Sequence, residues 1–589
     1  MSPDSHQSRN RQRESVALRA ALAGATLLLG IAQTWANRYS IWSDLMSYIE
    51  AGETSIVQGR WNESLSGHWS PLFSWILGLM LAVVRPSLEN ELVTIKAVQL
   101  LIYVFNVFAF DALIRESLKC PREEDATSSE KSLALGETAL ICAAYVSFAW
   151  ASLRWLVVYR ETPDLLVAGL VYLATAYSLR GIRTGKLRDA TILGGLLGLA
   201  YLAKTVMFPL AFSFLGARLI VERTRRACVL ACVACLVFAG VSAPYAIALS
   251  LKLGRPTIGE AGRLAYAMMV SPGSPAVHWQ GQPEGSGHPV HPTRRVSVAP
   301  DVFEFATPIL GTYPPWFDPV YWNEGMVTRL NMRRQLLMMR QNVQYCLELF
   351  GAPLLVLAVA AALGGRQRAS LAALAARVPV VLPGLVGLLT FVVATWLRVE
   401  RPPWGPLPTR YIGPFVVLIL LGALGSLRVA DSRAARTILA TLVAVACLAA
   451  GMRLFWVIGN DVAAARSNPP VHLQWQAAQA LRQFGVAPGS RVAVVGGDSF
   501  YWARLARVSI VAESKIDFWK ANDDARQRAL EAMSLTGARV VVSTPKRRGA
   551  RRPRPGVLAA MGWIRLGTTE HFVLSLNRER RQKVAESSP

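Results

Sequence analysis

Apolar runs long enough to cross a bilayer follow one another along most of this chain, and an α-helix needs about 20 apolar residues to do so. Of the 589 residues 52% are hydrophobic and only 17% charged, where a soluble domain carries roughly 25% charge. The runs are continuous, not the short alternations of a half-buried sheet. The sequence therefore predicts a polytopic α-helical membrane protein with about eleven spans. They fall near 17–35, 91–113, 137–157, 163–180, 189–203, 206–221, 228–250, 345–364, 378–396, 411–427 and 437–457.

The net charge of +25 does not point to nucleic acid, because no basic patch interleaves with aromatics. Most Lys and Arg lie in short loops between apolar runs, where they orient helices. Arg9, Arg11, Arg13 and Arg19 surround the start of the first run. Arg115, Lys119, Arg122 and Lys131 follow the second, and Arg180, Arg183, Lys186 and Arg188 the fourth. Arg223, Arg225 and Arg226, then Arg366, Arg368 and Arg377, then Arg428, Arg433 and Arg436 continue the series on the same face. That face is expected to be cytoplasmic in the inner membrane of a bacterium, with residues 1–16 as a cytoplasmic tail. The first run reads as a signal anchor or a cleaved signal peptide. Cys232 and Cys235 are spaced as a C-x-x-C, but within an apolar run, where cysteines serve as small packing residues.

Pro71 to Val84 is apolar but 14 residues long. Counting it as a span would invert every later charge cluster, so it reads as a re-entrant or interfacial helix within a first outer loop, 36–90. Such backbone persists at membrane depth only against protein or a watery cavity. These pieces belong to a transmembrane domain, 17–460. A second outer loop, 251–344, is rich in Pro, Gly, His and Trp and reads as a long loop or lid. Residues 470–577 alternate helical segments (474–484, 525–535) with buried strands (491–495, 538–543), which predicts a small extracytoplasmic α/β domain. Residues 578–589 read as a disordered tail.

Polar residues collect on the outer face. The first loop holds Asp44, Tyr48, Glu50, Glu53, His68 and Trp69. A second turn reads Arg160-Glu161-Thr162-Pro163-Asp164. Lys204 separates two apolar runs, and Arg398, Glu400, Arg401 and Thr409-Arg410-Tyr411 lie between two later spans. Carboxylates beside fixed cations suit an anionic lipid-linked substrate: Arg and Lys hold phosphate oxygens, and a carboxylate can deprotonate an acceptor hydroxyl. Lys204 and Arg410 are the candidate phosphate ligands and Asp44 the candidate base. Glu161 and Asp164 are candidates to orient the acceptor or hold a metal. The competing reading of each loop cation is an anchor that snorkels to the interface.

The order of these motifs resembles the GT-C superfamily of polyprenyl-phosphate-sugar glycosyltransferases, in particular bacterial relatives of the protein O-mannosyltransferases and lipid A aminoarabinose transferases. The resemblance rests on one span followed by a loop with Asp44, Tyr48 and Ala51, then Trp69-Ser70-Pro71-Leu72-Phe73 opening an apolar helix. It continues in Arg160-Glu-Thr-Pro-Asp164-Leu-Leu166, Leu202-Ala-Lys204-Thr205 and Arg410-Tyr411-Ile-Gly-Pro414. It covers residues 15–460. It implies an inverting sugar transfer from a polyprenyl-phosphate donor to a glycan, lipid or protein acceptor. Asp44 would be base, with Lys204, Arg410 and Arg160 on the donor phosphate, and Tyr48, His68, Trp69 and Tyr411 near substrate. Members differ in metal use, so a divalent ion on Asp44 or Asp164 is compatible with it.

Two other readings stand beside this one. Gly496-Gly497-Asp498 after a strand resembles a nucleotide-binding turn but lacks G-x-G-x-x-G spacing. Tyr501-Trp502 and Phe518-Trp519 suit either sugar stacking or a core. The basic run Lys546, Arg547, Arg548, Arg551, Arg552 and Arg554 suits either a solvated loop or anionic headgroups. A transporter or flippase is the functional alternative. It would place polar groups at mid-membrane on broken helices in inverted repeats, whereas here the span centres are apolar.

Overall fold

The computed structural model describes residues 3–120, 132–270, 293–305, 310–318, 330–362, 367–395, 409–430, 432–496, 500–543 and 553–577. It divides into two compact units. The first takes in Met1–Arg38, Lys96–Gly262 and Asn331–Pro469, and the second Tyr39–Ile95, Arg263–Leu330 and Pro470–Pro589. Described strands, in chain order, are β1 (Ser132–Ala134), β2 (Thr293–Val298), β3 (Asp301–Phe305), β4 (Arg428–Ala430), β5 (Arg491–Val495), β6 (Ser509–Ser514), β7 (Val540–Ser543), β8 (Ile564–Arg565) and β9 (Phe572–Ser575).

The first unit is helical, with one antiparallel ribbon of β1 on β4. Seven helices among the described residues are long and apolar enough to cross a membrane: Gln12–Ala36, Glu91–Leu118, Glu137–Leu156, Asp164–Thr184, Arg225–Leu253, Thr409–Ser426 and Thr437–Ser467. Ala369–Ala376 and Val378–Ala394, bent by 81° at a short break, make an eighth if taken together. The chain is thus a multi-pass membrane protein, with fewer full-length spans among the described residues than the eleven expected. The physical reason lies in where helices break. The runs near 189–203 and 206–221 form helices Leu187–Ala203 and Met207–Glu222, of 17 and 16 residues, each under the bilayer requirement. The run near 345–364 is the C-terminal part of Met332–Ala362, whose first turns carry Arg333, Arg334 and Arg340.

The second unit is built on a seven-stranded mixed sheet, in the order β2-β3-β6-β5-β7-β9-β8. Its centre, β6-β5-β7, is parallel, and helix Tyr501–Ala506 occupies the crossover from β5 to β6. Strands buried on both faces read as continuous aliphatic runs. Val492, Ala493, Val494 and Val495 are all inaccessible, as are Ile510, Val511 and Ala512.

This sheet redraws the expected domain borders. The 251–344 segment is not one loop: up to Gly262 it belongs to the first unit, and β2 and β3 add to the free edge of β6. An uncovered parallel edge is open to pairing, and the β2-β3 hairpin occupies it. Residues 470–577 alone therefore lack two strands of the sheet they build. Tyr501, Trp502, Phe518 and Trp519 are buried, between 0% and 8% exposed, which makes them core aromatics.

Within the same unit the first loop forms helix Leu45–Gly52, all eight residues buried, a π-helical turn Glu53–Val57, and helix Pro71–Val84, opened by Pro71 at its first position. The two helices touch backbone to backbone at Gly52 and Gly78: a Cβ on Gly52 would lie 2.1 Å from the Ser74 carbonyl oxygen. Phe73 and Leu77 of the short helix are inaccessible, while Leu79, Val83 and Val84 are more than half exposed. That face suits an apolar surrounding.

Candidate functional site

The first unit gathers three of the expected residues, Lys204, Arg410 and Tyr411, around the carboxylate of a fourth, Asp164. Asp164 opens the Asp164–Thr184 helix and is 5% exposed. Lys204 Nζ donates to Asp164 Oδ1 at 2.5 Å, and Arg410 Nε lies 3.5 Å from Oδ2. Thr162 Oγ1 donates to Oδ2 at 2.9 Å. Tyr411 completes the group: Lys204 Nζ stands 4.0 Å from its ring centroid, and Arg410 Nη2 donates to its hydroxyl at 2.9 Å. Cations over an aromatic face gain about 0.5–2 kcal/mol, more when desolvated.

Local breaks in the chain place these side chains. Lys204 ends its helix in extended conformation, φ −159° and ψ 122°, and the next helix begins at Met207. The three-residue break, Lys204 to Val206, turns the ammonium towards Asp164. Arg410 and Tyr411 lie in the first turn of the Thr409–Ser426 helix. Of the two cations Lys204 is the more open, with 24% of its side chain accessible against 7% for Arg410.

The turn carrying Asp164 is held from the helix Glu91–Leu118. Lys96 Nζ donates to the Tyr159 carbonyl at 2.6 Å and pairs with the Glu161 carboxylate. One turn on, Gln99 Nε2 donates to the Arg160 carbonyl and, at 3.3 Å, to that of Thr162. Just before this turn Val157 has φ +63°, a region costly for a β-branched residue; such strain, of order 1–3 kcal/mol, persists only where the surroundings over-determine it. Glu161 is inaccessible and pairs with Lys96. Arg160, half-buried, contributes its carbonyl to the Gln99 grip.

The second unit gathers the first-loop residues. Asp44, partly exposed, is the residue just before helix Leu45–Gly52. Tyr48 packs edge-on against Trp69 and Phe73, at 4.9 and 5.1 Å between ring centroids, and His68 against Trp69 at 4.5 Å. Trp69 Nε1 donates to the Trp316 carbonyl at 3.3 Å, and Ser47 Oγ donates to the same oxygen. Glu50 is 4% exposed and accepts the Thr312 N–H with both oxygens at 3.1 Å. Burial holds its carboxyl above the ordinary value; Arg504 and the Thr312 hydrogen bonds offset that only in part.

Among the described residues no three His, Cys, Asp or Glu side chains are arranged to hold a metal ion. Asp164 already faces two cations, which repel a third. Arg398, Glu400, Arg401, Asp498 and the basic residues from Lys546 to Arg552 lie outside the described residues.

Sequence reasoning missed Lys96, Gln99, Trp316, Glu91 and Arg504. Lys96 had a legible signal: a charged residue within an apolar run is expensive unless paired. Trp316 and Arg504 had none, since their partners lie more than 200 residues away.

No protein-family model matches the sequence, and no curated protein matches it. Among solved structures the chain is similar to ArnT from Cupriavidus metallidurans in the apo state, with 13% identity and a TM-score of 0.39 over 98% of this chain and 100% of that one. It is also similar to ArnT of that organism bound to undecaprenyl phosphate, with 12% identity and a TM-score of 0.40 over 96% and 98%. The Archaeoglobus fulgidus oligosaccharyltransferase in complex with Zn and sulfate is a third, with 12% identity and a TM-score of 0.45 over 89% of this chain and 67% of that one.

Proposed function

We propose that this chain is a membrane glycosyltransferase of GT-C type, moving a sugar from a polyprenyl-phosphate donor to an extracytoplasmic glycan, lipid or protein acceptor. The observation that carries the reading is the meeting of Lys204 and Arg410, 206 positions apart in sequence, on Asp164. Two cations and one carboxylate leave one net positive charge, which complements the single negative charge of a glycosyl phosphodiester. Lys204, the more open, meets the donor phosphate first. Asp164 and Tyr411 keep both cations in place, and Arg410 adds a planar fork for the oxygens.

In the reaction an acceptor hydroxyl attacks the anomeric carbon from the face opposite the phosphate. The new C–O bond forms as the bond from carbon to phosphate oxygen breaks, so the configuration inverts. The hydroxyl proton passes to Asp44 as general base, and polyprenyl phosphate leaves with charge neutralised by Lys204 and Arg410. Tyr48, His68 and Trp69 line the acceptor side in this reading, and Arg160 assists on the donor side. In this reading, supported by the distribution of basic loops, the N-terminus is cytoplasmic and Asp44, Lys204, Arg410 and residues 470–577 lie outside a bacterial inner membrane.

The test is a deletion strain complemented with wild type or Asp44→Asn. Wild type should restore the missing cell-surface glycan and clear the accumulated lipid-linked sugar. Asp44→Asn should do neither at equal protein level. Full complementation by Asp44→Asn would end the base assignment. No change in lipid-linked sugars on deletion would end the glycosyltransferase reading.

A further inference from the structure

Arg504 is a half-buried cation that the proposed chemistry does not use. It sits on helix Tyr501–Ala506, between β5 and β6, with 10% of its side chain accessible. Its guanidinium grips Glu91 with two nitrogens, Nε at 3.0 Å and Nη2 at 2.8 Å. Its third nitrogen donates to Glu53 at 2.6 Å. Tyr501, one turn earlier, donates to Glu91 at 2.8 Å. Glu53 lies within the first loop, directly after helix Leu45–Gly52, and Glu91 begins the long helix that follows the loop.

The same helix is held at two further points. Glu50 accepts from Thr312 N, and the Thr312 carbonyl accepts from Ile510 N of β6 at 2.9 Å. Ser47 donates to the Trp316 carbonyl, and Tyr313 donates to Glu513 of β6. Segment 310–317 is thus clamped between the sheet and the helix that Asp44 precedes. Bidentate charge pairs are geometrically demanding, and a helix held at Ser47 and Glu50, and at Glu53 just beyond its end, has little freedom to rotate.

We propose that residues 470–577 serve as a positioning frame for Asp44, with Arg504 the positioning residue through which the frame acts. The proposal rests on the reading of Asp44 as base. It gives the C-terminal sheet a role in the transfer without a ligand of its own. Misplacing a catalytic group by about 1 Å can cost on the order of a hundredfold in rate, so a loosened frame should lower turnover more than donor binding.

The experiment uses the full chain in lipid nanodiscs with Arg504→Lys, Arg504→Met and Glu53→Gln. Amide hydrogen exchange is followed at Leu45–Val57. Turnover per folded molecule is followed with total lipid-linked sugars extracted from the deletion strain as donor. Arg504→Met should speed exchange at Leu45–Gly52 about tenfold while β5 and β7 stay protected, and should lower kcat at unchanged KM. Arg504→Lys, which keeps the charge but not the planar fork, should recover only part of both. Glu53→Gln, which keeps the Arg504–Glu91 pair, should shift both in the same direction by a smaller factor, and decides the matter if Arg504→Met fails to fold. Unchanged exchange at Leu45–Gly52 in Glu53→Gln and any folded Arg504 variant would overturn the proposal, as would unchanged kcat. Full activity of Asp44→Asn would instead remove the base reading and leave the exchange result standing.

Discussion

At the scale of single residues, Asp164 is the hinge of the account, because one carboxylate organises two cations drawn from distant helices. Asp164→Asn should leave Lys204 and Arg410 facing each other without compensation. Breaking a buried ion group costs about 3–5 kcal/mol, less here because Lys204 is part-exposed, so a lowered thermal midpoint in detergent is expected. Lys204→Gln should do the opposite: little loss of stability, since Asp164 keeps Arg410 and Thr162, but weakened donor binding. Equal stability losses in both variants would contradict that division. His472 gives a pH prediction. It caps helix Leu473–Gln483 by accepting the Trp475 N–H at 3.4 Å through Nδ1 and stacks on Tyr39 at 5.1 Å. Burial drives its pKa down to about 4 from 6.5, against a smaller opposing pull from Glu91. Between those values the unfolded chain binds a proton that the folded chain refuses, so the contribution is intact above about pH 6.5 and is lost as pH falls towards 4. His472→Asn retains a cap without titrating. Its fall in melting temperature from pH 7 to pH 5 should be smaller than in wild type, and an equal fall would refute the assignment.

At the scale of elements, the short apolar helix Pro71–Val84 was legible from length alone, as was the turn that carries Asp164. What no pattern disclosed is how closely that short helix meets Leu45–Gly52. A Cβ on Gly78 would stand 2.3 Å from the Gly52 carbonyl oxygen, a backbone atom that cannot swing away. Gly78→Ala should therefore separate the pair and destabilise the second unit by about 1–3 kcal/mol. Gly195→Ala, where nothing lies within 4 Å, should be neutral or slightly stabilising. Differential scanning of the two variants decides between packing and composition. Glu161 shows the limit of reading motifs by residue type. Its residue type suggested an acceptor or metal role; its partner Lys96, 65 positions earlier, was not legible from the motif.

At the scale of the whole molecule, composition and apolar runs disclosed a multi-pass membrane protein with a C-terminal α/β sheet. They did not disclose that β2 and β3 complete that sheet, because strand pairing across some 200 residues leaves no local periodicity. Nor did hydropathy distinguish full spans from the 16- and 17-residue helices on either side of Lys204, since the break there is only three residues long. The expected topology has a direct check: a reporter fused after residue 460 should read as extracytoplasmic, and a cytoplasmic signal would invert the placement of every candidate residue.

The central claim is that Lys204 and Arg410 form the seat of a polyprenyl phosphate. Native mass spectrometry of the full chain with undecaprenyl phosphate tests it most directly. Wild type should retain one lipid phosphate in preference to undecaprenol, and Lys204→Gln with Arg410→Gln should lose that preference by at least tenfold while remaining folded. Equal retention of phosphate and alcohol by wild type, or unchanged preference in the double variant, would contradict the account.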